Sequence, residues 1–341
     1  MILSLLIVLL VQHVAQSSDS DCGRLGGTCK FPLLGCRGGS FRTGLCSSWY
    51  KTCCVPDLSI SSSCTARTGR IKFYIQRAST LGTTYYTVNS VSTIPASYLQ
   101  GGRIHILTHG WKQNARDLQD LGWELYRHRK GPVVVVDWAV WSGSSDPTTY
   151  IPACKRTSDV GAEVAQFILE LEKRGHSRSN MHLIGFSLGG KVSARAGDCL
   201  QGKVARLTGL DTPLYCIDKE LTQPELDESD AQFVDTIRTT GLSGVWFQQQ
   251  GHADFFVGCN NLCTCFDRGA PWTLSGRHGE AVNIFKNSIA NSNCQIGVSK
   301  ACICPLPICS RTGNTMGYPA TKPSRDRKYM VDMDGKEACE N

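Results

Sequence analysis

The sequence predicts an α/β fold on a mostly parallel central sheet, preceded by a small disulfide-rich β module. Three observations predict it. Six cysteines crowd into the stretch from Cys22 to Cys54. Beyond them, apolar β-branched runs alternate with stretches of helical periodicity. One such run, "NMHLIGFS", passes through a glycine-flanked serine, Ser187, directly into a helix-forming stretch.

The 341 residues are 41% apolar and 19% charged, ordinary for a globular protein and enough for one large domain with a small one. The opening "MILSLLIVLLVQHVAQSS" is apolar but too short to span a bilayer. Small residues at Ala15 and Ser17 make it read as a secretory signal over residues 1–17, a buried core helix being the alternative. No other segment reads as a membrane span. All 18 cysteines follow it, which argues for disulfides throughout and a secreted, extracellular protein. Zinc is the competing use of so many thiols, yet no paired C-x-x-C modules with downstream histidines occur. The net charge of +7 favours weak attraction to anionic surfaces, membranes included. No charge run suggests a nucleic-acid partner.

Residues 18–55 form the module. Its spacing is C-x6-C-x6-C-x9-C-x6-C-C, with five Lys/Arg and no Asp or Glu between Cys22 and Cys54. A unit this short buries too little apolar surface to fold without cross-links, and six cysteines allow fifteen connectivities. Residues 56–63, rich in Pro and Ser, read as a linker, and 64–341 as one domain. In that domain "RIHILTHGW" and "GPVVVVDW" read as strands, the second buried on both faces. "TSDVGAEVAQFILELEKRG" reads as a helix capped at Ser158 or Asp159 and stopped at Gly175. "NMHLIGFS" is a strand, "LGGKVSARAGDCL" a helix and "KVARLTGLD" the next strand, an alternation that puts helices on both faces of a parallel sheet.

The strand–serine–helix context makes "GFSLG" a nucleophile elbow, with the Ser187 hydroxyl at the carboxyl edge of the sheet beside a helix N-terminus. A serine alcohol needs a base and an orienting acid, which in the α/β-hydrolase arrangement follow in the order Ser, Asp, His. Asp211 lies 24 positions after Ser187, the length of one helix, a turn and a returning strand. Asp198 falls inside the helix and lacks that placement. His252 and His278 follow Asp211. His278, in a loop before an amphipathic helix, is placed better than His252, which borders the apolar run "ADFF".

The motifs "HILTHGW", "VVVVDW", "VGAEVAQFI", "GFSLGG", "GLD", "LDESDAQFVDTIRT", "GHADFF", "RHGEAVNIFKNSI" and "MGYPA" occur in the order found in the pancreatic lipase family, from about Cys64 to Tyr329. The family includes triacylglycerol lipases, A1-type phospholipases and yolk proteins. The resemblance implies an α/β-hydrolase domain and a triad of Ser187, Asp211 and His278. It also implies an oxyanion hole from the backbone N–H groups of Leu188 and Trp111, and fatty-acyl ester hydrolysis on lipid or phospholipid aggregates without a required cofactor. A yolk-type lipid carrier that has lost catalysis is the alternative. In "SGRHGEA" the cysteine that closes the family's lid is absent, which leaves a short lid candidate with Phe266, Trp272 and Leu274 facing lipid, as in phospholipase members. Asp227 and Asp230 match carboxylates that hold a structural calcium in some relatives. The resemblance further implies pairs Cys294–Cys302 and Cys304–Cys309. The chain stops soon after "KYMVDMDG", so no C-terminal β-sandwich and no colipase partner are expected.

The module, for its part, resembles the β-defensins, small cationic three-stranded peptides. That likeness implies pairs Cys22–Cys53, Cys29–Cys46 and Cys36–Cys54. It makes a membrane-active host-defence or venom role the second functional alternative, against a plain disulfide-stapled spacer.

Overall fold

A computed structural model of the chain describes residues 22, 27–34, 36, 39–48, 50–56, 59–65, 68–214, 226–240, 249–258, 277–290, 294, 296–302, 309–325 and 327–331. The expected signal segment and the lid candidates Phe266, Trp272 and Leu274 lie outside these residues. The chain divides into two compact units, Met1–Ser59 with Leu171–Ser179, and Ile60–Glu170 with Asn180–Asn341.

In the first unit, β1 (Thr28–Lys30), β2 (Gly39–Arg42) and β3 (Thr52–Pro56) form an antiparallel sheet in the order β1-β3-β2. Cys29 stands opposite Cys53, and Phe41 opposite Cys54. Disulfides join Cys22 to Cys53, Cys29 to Cys46 and Cys36 to Cys54. Cys22 and Cys53 are fully buried, with Leu45 packed against them. Cross-links thus occupy the place where a larger domain would put a hydrophobic core. In the same unit Arg178 holds Glu172 through Nε at 2.7 Å, and reaches Ser59 O with Nη1 at 3.1 Å.

The second unit carries a ten-stranded sheet. Its strands are β4 (Lys72–Gln76), β5 (Ile104–Thr108), β6 (Val133–Asp137), β7 (Met181–Phe186), β8 (Arg206–Leu210), β9 (Val234–Arg238), β10 (Ala253–Val257), β11 (Ile296–Cys302), β12 (Cys309–Thr315) and β13 (Arg327–Val331). The order across the sheet is β12-β11-β13-β10-β9-β8-β7-β5-β6-β4. From β6 through to β13 neighbouring strands run parallel. Antiparallel β4 closes one edge, and β11 and β12 the other.

Four helices pack on this sheet among the described residues: α1 (Gln119–Arg129), α2 (Tyr150–Lys173), α3 (Leu188–Cys199) and α4 (Glu280–Ala290). Leu121 and Leu125 of α1 and Ile284 and Phe285 of α4 share one core with Leu107, Val133, Val135, Ile184 and Phe186. Residues one position out of phase, Val134 and Val136, face the opposite side and are equally buried. On that side Phe167 of α2 stacks on Phe73 with ring centroids 3.8 Å apart. The run "VVVV" is apolar throughout because both of its faces are covered.

The helix expected to be capped at Ser158 or Asp159 begins at Tyr150 instead. Its start signal lies upstream: Asp146 accepts a hydrogen bond from Thr148 N–H at 2.9 Å, and Pro147 opens a 3-10 turn that leads into it. Pro152 falls in the first helical turn, where a missing N–H costs nothing. At the far end Gly175 takes φ 92° just past the last helical residue, the left-handed stop expected of it.

Cys64 is bonded to Cys199, which fastens the start of this unit to the end of α3. Ser61 N–H donates to Cys199 O at 2.9 Å beside it. Cys154 and Cys294 are also disulfide-bonded. Cys304 lies outside the described residues, and the backbone register sets Cys302 opposite Cys309. At the amino edge of the sheet lies a buried polar network. Arg206 donates to both oxygens of Asp235, at 2.8 and 2.9 Å. Thr208 Oγ1 donates to Asp235 at 2.8 Å and pairs with His182 Nε2 at 2.8 Å. His105 Nε2 meets the Tyr318 hydroxyl at 3.0 Å. No helix among the described residues is long and apolar enough to cross a membrane.

Candidate active site

Because β5, β7, β8 and β9 run parallel, their carboxyl ends open on one rim. His109 follows β5 there, Ser187 follows β7, Asp211 follows β8 and Thr239 follows β9.

Ser187 sits between β7 and α3 with φ 55° and ψ −126°. Such a backbone costs a residue with a side chain on the order of 1–3 kcal/mol. The surroundings hold it: Ser187 N–H donates to Leu210 O at 2.9 Å, and Ser187 O accepts from Gly190 N–H at 2.9 Å. A Cβ on Gly185 would run into the main chain of Gly189, and one on Gly189 into the carbonyls of Thr108 and His109. The flanking glycines therefore let helix and strands approach closely around the strained serine. Leu188 opens α3, so its N–H is among the first four without a partner inside the helix and stands at the positive end of the dipole.

The second expected oxyanion donor, Trp111, lies in a loop pinned on both sides. Gly110 N–H donates to Gln113 Oε1 at 2.8 Å, and Lys112 N–H to Ser142 O at 2.7 Å. His109, fully buried, accepts at Nε2 from Trp138 N–H at 3.1 Å, while its carbonyl accepts from Trp138 Nε1 at 2.8 Å. Its Nδ1 pairs with Gly110 O at 3.0 Å. The Trp111 indole donates to Thr149 Oγ1 at 3.2 Å and meets Tyr150 edge-on.

Asp211 is buried, with φ 46°. Its Oδ1 accepts from the N–H groups of Thr239 at 3.1 Å and Thr240 at 3.2 Å. Its Oδ2 accepts from the Thr240 hydroxyl at 2.6 Å and from His278 Nδ1 at 2.7 Å. His278 stands in the turn just before α4 and keeps 19% of its side chain exposed. Its ring lies beside that of Phe186, the residue before Ser187. With Nδ1–H given to a carboxylate, a neutral ring presents Nε2 as an acceptor.

His252 is elsewhere. Its Nδ1 accepts from Val234 N–H at 3.0 Å, at the amino end of β9 and so on the edge away from Asp211. The structure brings His278 to Asp211 and leaves His252 tying strands together. Asp198 pairs with Arg195 at 2.5 Å on the outer surface of α3.

Residues that sequence reading did not single out complete the rim. Thr239 and Thr240 anchor Asp211, whereas "RTT" carries no local signal for that role. Arg238, just before them, is 3% exposed, and its guanidinium nitrogens have no hydrogen-bond partner among the described residues. Its Nη2 lies 3.9 Å from Asp254 Oδ1, and the guanidinium rests over the Phe256 ring. Burial pulls Arg238 below the usual guanidinium range, while Asp254 and Asp211 draw it back up.

Asp227 and Asp230 form a capping box. Asp227 Oδ1 accepts from Ser229 N–H at 2.7 Å, and Asp230 Oδ2 from Asp227 N–H at 3.0 Å. Burial lifts Asp230 to about 8, with the charges of Asp227 and Asp198 adding to it. The two side chains supply only part of the six to eight oxygens calcium takes, and each carboxylate already serves the backbone. Two triads of close ligand atoms occur among the described residues, Cys22 with Cys29 and Cys46, and Cys64 with Asp198 and Cys199. Their cysteines are spent in disulfides.

A serine on a strand-to-helix elbow, a carboxylate after the next strand and a histidine bonded to it are set out in the chain order of an α/β-hydrolase fold. Residues 59–304 match the family model described as Lipase, and the chain belongs to that family. Pancreatic lipase-related protein 2 of Bos taurus is 32% identical over 240 residues, 62% of this chain and 49% of that protein. Pancreatic triacylglycerol lipase of Homo sapiens is 28% identical over 278 residues, 72% of this chain and 59% of that protein. The chain thus spans about half the length of the curated relatives it matches. Among solved structures, esterase PE8 overlays with a TM-score of 0.32 at 16% identity, covering 42% of this chain and 72% of that one.

Proposed function

We propose that this protein is a secreted serine esterase that hydrolyses fatty-acyl esters of lipids through an acyl-enzyme, with phospholipase A1 action on phospholipids foremost and triacylglycerol hydrolysis second. The bond from His278 Nδ1 to Asp211 Oδ2, on the rim where Ser187 is held, carries the reading. The short segment before His278, without the cysteine that closes a lid in the family, favours phospholipid. Cross-linked cysteines favour an oxidising, extracellular setting.

In the proposed reaction His278 Nε2 takes the Ser187 proton as Oγ attacks the ester carbonyl. Asp211 keeps the imidazole in the right tautomer and stabilises its cation. The N–H groups of Leu188 and Trp111 receive the oxyanion, each such donor being worth roughly 10²–10³ in rate. Collapse expels the alcohol, which takes its proton from His278. Water, activated by the same imidazole, then releases the fatty acid and restores Ser187. No step passes through a metal.

The test is product analysis on phosphatidylcholine and on trioleoylglycerol, with Ser187→Ala as control. Loss of the nucleophile is expected to remove about 10⁶ of turnover. Hydrolysis that survives this substitution would overturn the esterase reading.

A further inference from the structure

We propose that Arg238 is a positioning residue for Asp211: its buried charge counters that of the carboxylate and holds it in place while His278 is neutral. The proposal rests on the esterase reading for the part Asp211 plays in turnover.

The backbone wraps Asp211 around this arginine. Asp211 N–H donates to Ile237 O at 2.8 Å, and Asp211 Oδ1 accepts from the N–H groups of Thr239 and Thr240. Residues 237, 239 and 240 thus clasp Asp211, with Arg238 in their midst. In the ladder Arg238 stands opposite Phe256 of β10, one position out of phase with Ile237 of the apolar core.

Asp211 needs a counter-charge. It is fully buried, and its hydrogen-bond partners among the described residues are two N–H groups, a hydroxyl and an imidazole. None of these carries a full charge while the imidazole is neutral. A carboxylate shut away from water is costly unless an opposite charge stands near it. Arg238 supplies that charge, which is felt by the carboxylates of both Asp254 and Asp211.

Arg238 acts by charge alone. Arg206 grips Asp235 with two hydrogen bonds, the way an arginine fork serves a structural clamp. The Arg238 guanidinium makes none among the described residues, although its side chain is only 1% exposed. It rests over the Phe256 ring, 5.0 Å from the centre, and Nη2 stays 3.9 Å from Asp254 Oδ1. Asp254 is already supplied by the Thr236 hydroxyl at 2.6 Å and by the N–H groups of Gln250 and Gly251 at 2.9 and 3.1 Å. Lys328 stands opposite Asp254 in the ladder with β13 and interacts with its charge. Lys328 can therefore answer Asp254, which leaves the charge of Arg238 for Asp211. Between buried groups such an attraction acts over several ångströms without contact.

The test is a double-mutant cycle on the full chain, read first as urea unfolding, which does not depend on turnover. Arg238→Met keeps the length of the side chain and removes its charge. Asp211→Asn removes the charge to be countered. Arg238→Met is expected to lower the urea midpoint when Asp211 is present, and much less in the Asp211→Asn chain. On a soluble short-chain ester, Arg238→Met is expected to lower kcat about tenfold with KM unchanged. In the Asp211→Asn chain it should alter kcat by less than about twofold. Arg238→Lys keeps the charge and should recover most of both losses. Equal losses from Arg238→Met in the two backgrounds, or no recovery in Arg238→Lys, overturn the proposal and leave Arg238 a packing residue. If Arg238→Met alone does not fold, the double variant is expected to fold; failure of both overturns the proposal as well. Coupling in urea from a chain that cleaves no ester would support the charge pairing and overturn only the esterase reading.

Discussion

The hydroxyl of Thr240 donates to Oδ2 of Asp211 across 2.6 Å, and the same oxygen receives His278 Nδ1 at 2.7 Å. The carboxylate that orients the imidazole is thus itself held from β9. Hydrogen bonds to a charged group contribute about 1.5–3 kcal/mol. Thr240→Val is expected to lower kcat about tenfold on a soluble ester, since Asp211 loses one of the donors that hold it against His278. Thr240→Ser should restore it. A kcat unchanged by the valine would show that Thr240 has no bearing on the imidazole.

Gly110 presses against the serine. A Cβ there would stand 2.8 Å from Ser187 Cβ and 3.2 Å from Phe186 O, closer than such atoms pack. Both sides are rigid, the loop through Gln113 and Ser142 and the elbow through Leu210. Gly110→Ala is therefore expected to displace the Trp111 amide and reduce kcat on a soluble ester by ~10²–10³, the worth of one oxyanion donor, with the melting temperature lowered far less. Equal kcat in the variant would place the oxyanion elsewhere.

Acid should weaken the fold through the buried histidines. Burial, with nearby arginines adding, holds His105 at about 3 and His182 well below 6.5. Between pH about 3 and 6.5 the unfolded chain therefore binds more protons, and stability rises with pH across that window. Asp230 has the opposite sign. Lifted from 3.8 to about 8, it keeps a proton that the unfolded chain releases, so its share of stability is lost as pH rises through that range. Urea unfolding across both windows checks this: His105→Gln with His182→Gln should flatten the acid side, and Asp230→Asn the alkaline side. Limbs that keep their slopes in these variants would assign the pH dependence to other groups.

The bridge from Cys64 to Cys199 spans 135 residues. Replacing both cysteines by alanine is expected to lower unfolding free energy by about 2–5 kcal/mol, read as a lower urea midpoint. Turnover at low temperature should persist, because neither sulfur touches the rim.

What the sequence determined by itself is whatever depends on neighbours along the chain. Alternation of "VVVVDW", "NMHLIGFS" and "LGGKVSARAGDCL" foretold β6, β7 and α3, because period and β-branching act over one strand or turn. The cysteine spacing marked the module for the same reason. α2 starts at Tyr150, ahead of the apolar stretch that announces the helix, because its start signal, Asp146 and Pro147, lies upstream of that stretch. Placement in the chain and the family resemblance favour His278 over His252, but only the tertiary structure supplies the contact that separates them. Both follow Asp211 in the chain, but parallel strands send their beginnings and ends to opposite edges, and the separation of 67 positions between Asp211 and His278 closes only through the packing of α4 on the sheet. Thr239 and Thr240 reached Asp211 by the same route, from β9 lying beside β8. Order across a sheet is set by which buried faces fit together, and no local pattern encodes it.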